Sequence, residues 1–567
     1  MSTRTRKMAL RAYLVMICGL LVSCGPNDNK PDPLAAYKNQ TLEWQTCSEN
    51  QIFREALGES NVELLKKLGD RAKCTFMRTP LNYDDPSKGD VQIALLRVSA
   101  EDPQQRLGAI MFNPGGPGGD GLYLSIAFST MWAGADINDP VGNLYRQMSQ
   151  RYDLIGFSPR GTGASTNLIC PSDELFKYEA TIAVDESQEN IDNILNNSRL
   201  IAENCSKIPQ TPYMNSETTA KDMDLMRHLL GDSKFNYIGF SYGTWLGTWY
   251  AGLYPERVGR MMLVGNTDIT ASLNDVLLPQ GMGMQRVMDQ ALVPYAARHA
   301  DRLSLGSTEE DVRQAYLSLR TMMPRHLLSA TTELQVNNTI SKSSKADDTL
   351  LYLRAAQKMQ EFISVNPNAD EAAVKAWIDE AQFVPDQVLN IQTRSKALEL
   401  NSLYFSKKRQ ETKKAALKGQ DALSWAVMCN DGRSSFGVDD WIRENRNSAA
   451  LYPLFGGYWV RNACLYWGAP TAKRPPIESV ISAGNILMLQ SELDPWTPLE
   501  GAMKTFAILP NTSMILVQNE YSHGLYPPYG SVCIDRPVAE YFLYGILPER
   551  LTKCAGKPMA ADAGRNP

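Results

Sequence analysis

Ser241 stands in the run Gly239-Phe240-Ser241-Tyr242-Gly243, after an apolar stretch at 235–238 and before a helical-looking one at 244–254. This is a G-x-S-x-G turn in a strand–turn–helix setting. Glycine permits a tight turn, which would lift the Ser241 hydroxyl out of a sheet. The helix N-terminus and the Tyr242 amide would then face an oxyanion forming on an attacked carbonyl. A serine nucleophile needs a base, the base an orienting acid, and the oxyanion hydrogen-bond donors.

The chain has only four histidines. His228 falls in a helical pattern, as a surface or packing residue. His299 and His326 fall in the helix-rich middle of the chain. His523 follows the apolar run 514–518 in the loop Asn519-Glu520-Tyr521-Ser522-His523-Gly524, and is the expected base. The acid has three candidates. Asp494 and Glu492 follow the apolar run 486–490, and Asp268 follows the run 260–264. Asp494 fits best because Pro495 can rigidify the turn that presents it. The order serine, acid, histidine, each in a loop after a strand, is that of a hydrolase built on an α/β sheet. Donors are expected from Asn113-Pro114-Gly115-Gly116-Pro117-Gly118-Gly119, where backbone N–H groups stand without side chains in the way. The run is no P-loop, since it lacks the Gly-Lys-Ser/Thr ending. Pro114 and Pro117 also remove amides that a dinucleotide pyrophosphate would need.

Positioning these residues requires a sheet. Apolar runs at 91–98, 108–112, 152–157, 236–240, 260–264, 486–490 and 514–518 predict buried strands, most ending in a Gly-, Asp- or Asn-rich loop. Helical patterns lie between them, as at 220–230 and 242–254. The alternation predicts an α/β fold with a mostly parallel sheet. From 269 to 480 amphipathic helices dominate, as at 309–323, 350–362 and 370–380, with a polar loop expected at 341–348. The expected organisation is a leader at 1–23, a tether at 24–46, core segments at 47–268 and 481–567, and a mainly helical cap at 269–480.

The 567 residues are 43% hydrophobic and 21% charged, with net charge −5. That is a globular composition with length for a large core, and its mild acidity argues against nucleic acid as a partner. Arg4, Arg6, Lys7 and Arg11 precede a short apolar stretch at 12–21, the pattern of an export signal. The stretch ends in Leu21-Val22-Ser23-Cys24, which resembles a bacterial lipobox and implies lipid, including palmitate-type acyl chains, on Cys24. With Gly25 as mature residue two, the expected location is the cell envelope, on the periplasmic side of the outer membrane in a Gram-negative cell. The lipid would be the only membrane contact. Export permits disulfides. Ten cysteines, less Cys18 and Cys24, leave eight, which fall in sequential pairs: Cys47 and Cys74, Cys170 and Cys205, Cys429 and Cys464, Cys533 and Cys554. Nearest-neighbour bonding is one of many connectivities they permit. No C-x-x-C occurs and there are only four histidines, so no zinc site is expected, and the serine chemistry above calls for no cofactor.

The runs N-P-G-G-P-G, G-F-S-Y-G, L-D-P-W-T-P and S-H-G resemble the prolyl aminopeptidase-like α/β-hydrolases. The branch most similar is that of secreted tripeptidyl aminopeptidases with a TAP-like C-terminal region, which Cys429-Asn430-Asp431 and Cys464-Leu465-Tyr466-Trp467 also resemble. The resemblance spans roughly residues 47–554. It implies peptide substrates and a triad of Ser241, Asp494 and His523. It also implies oxyanion donors at Tyr242 and in Gly115-Gly116, and a disulfide between Cys429 and Cys464. Two positions depart from the pattern: Ser158 stands where Asp is common, and Val264 where Leu-Asp-Gly is frequent. The leading expectation is a serine exopeptidase acting on free peptide N-termini. The alternative is a carboxylesterase or lipase with the same triad, favoured by an apolar cap pocket without acids. A non-catalytic surface lipoprotein would have lost a triad member, and none is lost.

Overall fold

The computed structural model describes residues 32–322, 325–329, 331, 336, 339–408, 413–559 and 561–562. The leader, Cys24 and the first part of the tether lie outside the described residues. Twelve strands are described: β1 (Gln45–Thr46), β2 (Ala72–Pro80), β3 (Asp90–Val98), β4 (Gly108–Asn113), β5 (Tyr152–Phe157), β6 (Ile169–Cys170), β7 (Phe235–Phe240), β8 (Val258–Val264), β9 (Leu417–Lys418), β10 (Ile486–Ser491), β11 (Thr512–Gln518) and β12 (Leu551–Ala555). Ten of them form one sheet in the order β1-β2-β3-β5-β4-β7-β8-β10-β11-β12, and β6 pairs with β9 apart from it. The sheet is antiparallel from β1 to β5 and parallel from there to β12. All seven sequence-predicted strands are present.

Parallel strands buried on both faces read as continuous apolar runs, which is why these were visible. The period-two pleat sends alternate residues to opposite layers. Ile110, Phe112, Ile238 and Phe240 pack with the helices Leu122–Ala133, Pro140–Arg151 and Val532–Tyr544. Ala109, Met111 and Tyr237 pack with Ser216–Leu229 and Tyr242–Leu253 on the other side.

Between β8 and β10 the described chain is helical apart from β9. Helices such as Glu309–Met322, Ala346–Val365 and Gln387–Lys408 share a separate hydrophobic cluster, into which Tyr521 of the His523 loop is inserted. The helix Gln420–Asn430 instead packs Leu423, Ala426 and Val427 into the core beside Trp245. The expected loop at 341–348 is shorter than read. Ser343–Lys345 is a 3₁₀ turn and the next helix begins at Ala346. Asp347 and Asp348 sit in that helix's first turn, where its dipole favours acids. The structure bonds Cys47 to Cys74, Cys170 to Cys205, Cys429 to Cys464 and Cys533 to Cys554.

Candidate active site

The nucleophile turn is made by one residue. β7 ends at Phe240, the helix Tyr242–Leu253 starts at Tyr242, and Ser241 between them has φ 56° and ψ −122°. A side chain in that region is strained. Surrounding bonds hold it: Ser241 N–H donates to Val264 O at 2.9 Å and Thr244 N–H to Ser241 O at 2.8 Å. The flanking glycines serve close approach rather than positive φ. A Cβ on Gly239 would stand 2.4 Å from Gly243 O, so strand end and helix start touch only because both are bare.

His523 and Asp494 meet at the ends of adjacent strands. His523 Nδ1 lies 2.9 Å from Asp494 Oδ1 and 3.0 Å from Oδ2. Asp494 is buried, and its Oδ1 also accepts the Trp496 and Thr497 amides, each at 2.9 Å. The turn after Asp494 therefore holds the carboxylate through its own N–H groups. The His523 loop is tied on both sides. His523 N–H donates to Ser341 O at 2.8 Å, and Ser343 N–H donates to Ser522 Oγ at 3.0 Å. Beneath it, buried Glu520 accepts the Tyr521 and Ser522 amides and the Tyr529 hydroxyl. Ser341, Ser343 and Glu520 were not singled out in the sequence. Ser341 and Ser343 fall in the polar loop expected at 341–348 and Glu520 in the histidine loop, but nothing local joined the two loops.

The rival acids lie elsewhere. Glu492 accepts the Asn519 amide at 2.7 Å, bracing the loops. Asp268 accepts from Thr270 and pairs with Lys504 at 3.1 Å. His228 is exposed, His299 is buried against Asp562 at 2.8 Å, and His326 contacts the Tyr178 hydroxyl at 3.0 Å.

Gly115 backs onto the elbow, where a Cβ would stand 2.5 Å from Phe240 O and 3.1 Å from Tyr242 N, whereas the nearest neighbours of Gly116 are Gly118 and Gly119 of its own loop. The Gly115 amide donates to Asn113 Oδ1 at 3.0 Å and is thereby occupied. Gly116 lines a cavity together with Ser241 and Tyr242. Of the expected oxyanion donors, Gly116 and Tyr242 are the two that line this cavity with Ser241.

Both departures have structural consequences. Ser158 Oγ donates to Asp120 Oδ1 at 2.9 Å, so a neighbouring loop supplies a carboxylate there and an aspartate at 158 would set two face to face. Burial raises the Asp120 pKa above its usual range. Val264 is buried in the core. Gly265 after it has φ +65°, and a Cβ there would lie 3.3 Å from both Asp494 Oδ2 and His523 Cε1. The site thus needs glycine at 265 whatever stands at 264.

Two cavities meet at Ser241. A small one of about 190 Å³ is lined by Gly116, Ser241 and Tyr242 but not by His523, with apolar walls that include Leu273, Val276 and Met428. Its described lining also carries Asp268, Asp275 and Glu500 against Lys504. A larger cleft of about 950 Å³ contains both Ser241 and His523 and is walled by Trp425, Tyr458, Trp459 and Trp496. Among the described residues no cluster of potential metal ligands occurs, and no helix is long and apolar enough to cross a membrane.

Comparison with known proteins agrees with this fold. Residues 108–520 match the family model described as the alpha/beta hydrolase fold. The chain is 24% identical to the tripeptidyl aminopeptidase of Streptomyces lividans over 497 residues, covering 85% of this chain and 83% of that one. It is 25% identical to serine protease Hip1 of Mycobacterium tuberculosis over 564 residues, covering 96% of each chain. It is equally 25% identical to carboxylesterase B of the same organism over 496 residues, covering 85% of this chain and 86% of that one.

Proposed function

The chain belongs to the α/β-hydrolase fold family, and on that premise we propose that it is a serine exopeptidase releasing short peptides or single residues from free peptide N-termini. In this reading Ser241 Oγ attacks the scissile carbonyl as His523 Nε2 takes its proton. Asp494 accepts the His523 Nδ1–H, fixes the tautomer and stabilises the imidazolium. The Gly116 and Tyr242 amides hold the oxyanion. His523 then protonates the leaving amine, and water clears the acyl-enzyme by the same path in reverse.

The small cavity carries the exopeptidase reading. The leaving group departs on the side of the histidine that protonates it, which is the large cleft. The acyl portion then occupies the small cavity, whose volume of about 190 Å³ suits a short segment. Of the three carboxylates in its described lining, Asp268 pairs with Lys504 and Glu500 with Arg286, while Asp275, which accepts from Ser434 and Ser435, has no cation partner among the described residues and is the acid open to the ammonium of a free N-terminus. An esterase needs no such acids. A panel of free and N-acetylated peptide amides, with short-chain p-nitrophenyl esters beside them, tests this. Cleavage restricted to free-amine peptides is expected. Equal cleavage of acetylated peptides, or of esters alone, would replace it with the carboxylesterase reading that one relative's name suggests.

We propose further that Cys24 carries a diacylglyceryl thioether that tethers the enzyme to the envelope. One acyl chain binds a bilayer only marginally, whereas several anchor stably. Mass spectrometry of the mature N-terminus reads the modification. An unmodified N-terminus beginning elsewhere would mean ordinary secretion.

A further inference from the structure

The residue after the nucleophile is held by its side chain as well as by its helix. The Tyr242 hydroxyl lies 2.6 Å from Ser216 Oγ, at the start of the helix Ser216–Leu229. Ser216 Oγ lies 2.5 Å from Asp431 Oδ2, and Ser216 N–H donates to Asp431 Oδ1 at 2.8 Å. A serine hydroxyl has one proton, and the carboxylate takes it, so Tyr242 is the donor to Ser216. Trp245, in the same first turn of the elbow helix, donates its indole N–H to Asp431 Oδ2 at 2.9 Å. One carboxylate thus restrains two residues of the turn whose leading amide faces the oxyanion.

Asp431 is itself firmly placed. It caps the C-terminus of Gln420–Asn430. Cys429 is bonded to Cys464, and the Asn430 amide group donates to Thr211 O at 2.7 Å and Met214 O at 3.0 Å. The cation facing it is Arg474, whose guanidinium lies 4.4 Å from the Trp245 ring centroid and donates to the Ala271 and Ile269 carbonyls. Among the described residues no ion pair neutralises the carboxylate, and burial pushes its pKa up to about 6. A buried charge without a paired cation is costly. A neutral asparagine would fill the same space without that cost, but its single oxygen could not accept from Ser216 N–H, Ser216 Oγ–H and Trp245 Nε1–H as the two carboxylate oxygens do.

We propose that Asp431 is a positioning residue for acyl transfer: through Ser216 and Trp245 it fixes the first turn of the elbow helix so that the Tyr242 amide meets the oxyanion. It touches no substrate. Because the amide is needed most when the carbonyl oxygen gains charge, loosening it lowers kcat rather than raising KM.

The inference rests on the serine-hydrolase reading, which is checked separately by fluorophosphonate labelling of wild-type Ser241; a failure there sinks both. With labelling secured, Asp431→Asn, Ser216→Ala and Tyr242→Phe are assayed on one substrate. Expected is a kcat loss of about 10–100-fold, below the ~10²–10³ of removing an oxyanion donor outright, with KM within about twofold. The double variant Ser216→Ala/Asp431→Asn should be no worse than its worse parent, since both act along one path. Ser216→Ala and Tyr242→Phe each remove a single oxygen, so they decide the question even if Asp431→Asn fails to fold. Folded variants with wild-type kcat, losses appearing in KM alone, or losses that multiply in the double variant would each overturn the proposal.

Discussion

Replacing Asp494 by Asn separates geometry from charge at the base. The carboxylate spends Oδ1 on the Trp496 and Thr497 amides and on His523 Nδ1, and Oδ2 lies 3.0 Å from the same nitrogen. An asparagine keeps its oxygen on the two amides and presents its NH₂ to His523. Nδ1 must then accept, which moves the ring proton to Nε2, where it blocks proton transfer from Ser241. Reversing the amide restores the tautomer but turns the NH₂ onto two N–H donors, at about 1 kcal/mol or more for each lost bond. The imidazolium also loses its counter-charge. Unit charges 3–4 Å apart at an effective dielectric near 20 interact by roughly 4–5 kcal/mol, which corresponds to about 10³–10⁴ in rate. We expect kcat at neutral pH to fall by that factor with the fold intact by circular dichroism. Asp268→Asn and Glu492→Gln, assayed in parallel, should stay within about tenfold of wild type. An Asp494→Asn enzyme that keeps most of its kcat, or an Asp268→Asn enzyme that loses it, would refute the assignment.

Two further outcomes follow from the packing and charge. Asp431 is raised in the folded state from its usual 3.8 to about 6, so its proton is bound more tightly folded than unfolded. The buried charge therefore costs on the order of 3 kcal/mol above pH 6, a cost relieved as pH falls from about 6 toward 3.8. The melting temperature of wild type should gain on that of Asp431→Asn between pH 7 and pH 5, and a difference that ignores pH would contradict the assignment. The Cys429–Cys464 disulfide spans 35 residues, and closing such a loop stabilises a fold by about 4 kcal/mol in the chain-entropy model. Cys464→Ser should lower the denaturation midpoint accordingly, while free thiols at both positions in protein from an oxidising compartment would show that the bond does not form.

Much of the fold was readable because parallel strands buried on both faces are apolar throughout, as β5 and β10 are. β2 was not readable: Lys73 and Arg78 interrupt it, and it pairs antiparallel with both β1 and β3 at one end of the sheet. β12 is a short, half-exposed edge strand. The histidine and acid loops were legible because each follows an apolar strand, and histidine is scarce. What holds those loops was not legible. Ser341 and Ser343 reach His523 and Ser522 from about 180 residues away, and Asp431 reaches Ser216 from 215 away. No local pattern encodes such contacts, because they exist only once segments remote in sequence have packed together. The elbow glycines were read correctly as needed but for a different reason: Ser241 carries the positive φ, and the glycines permit contact.

The central claim is that chemistry passes through an acyl-enzyme on Ser241. Peptide mass spectrometry after brief incubation with an activated ester, quenched in acid, tests it directly. The account predicts an acyl mass increment on the peptide carrying Ser241, absent from Ser241→Ala, with turnover in that variant reduced on the order of 10⁴–10⁶-fold. An increment on another residue, or near-normal turnover by Ser241→Ala, would contradict it.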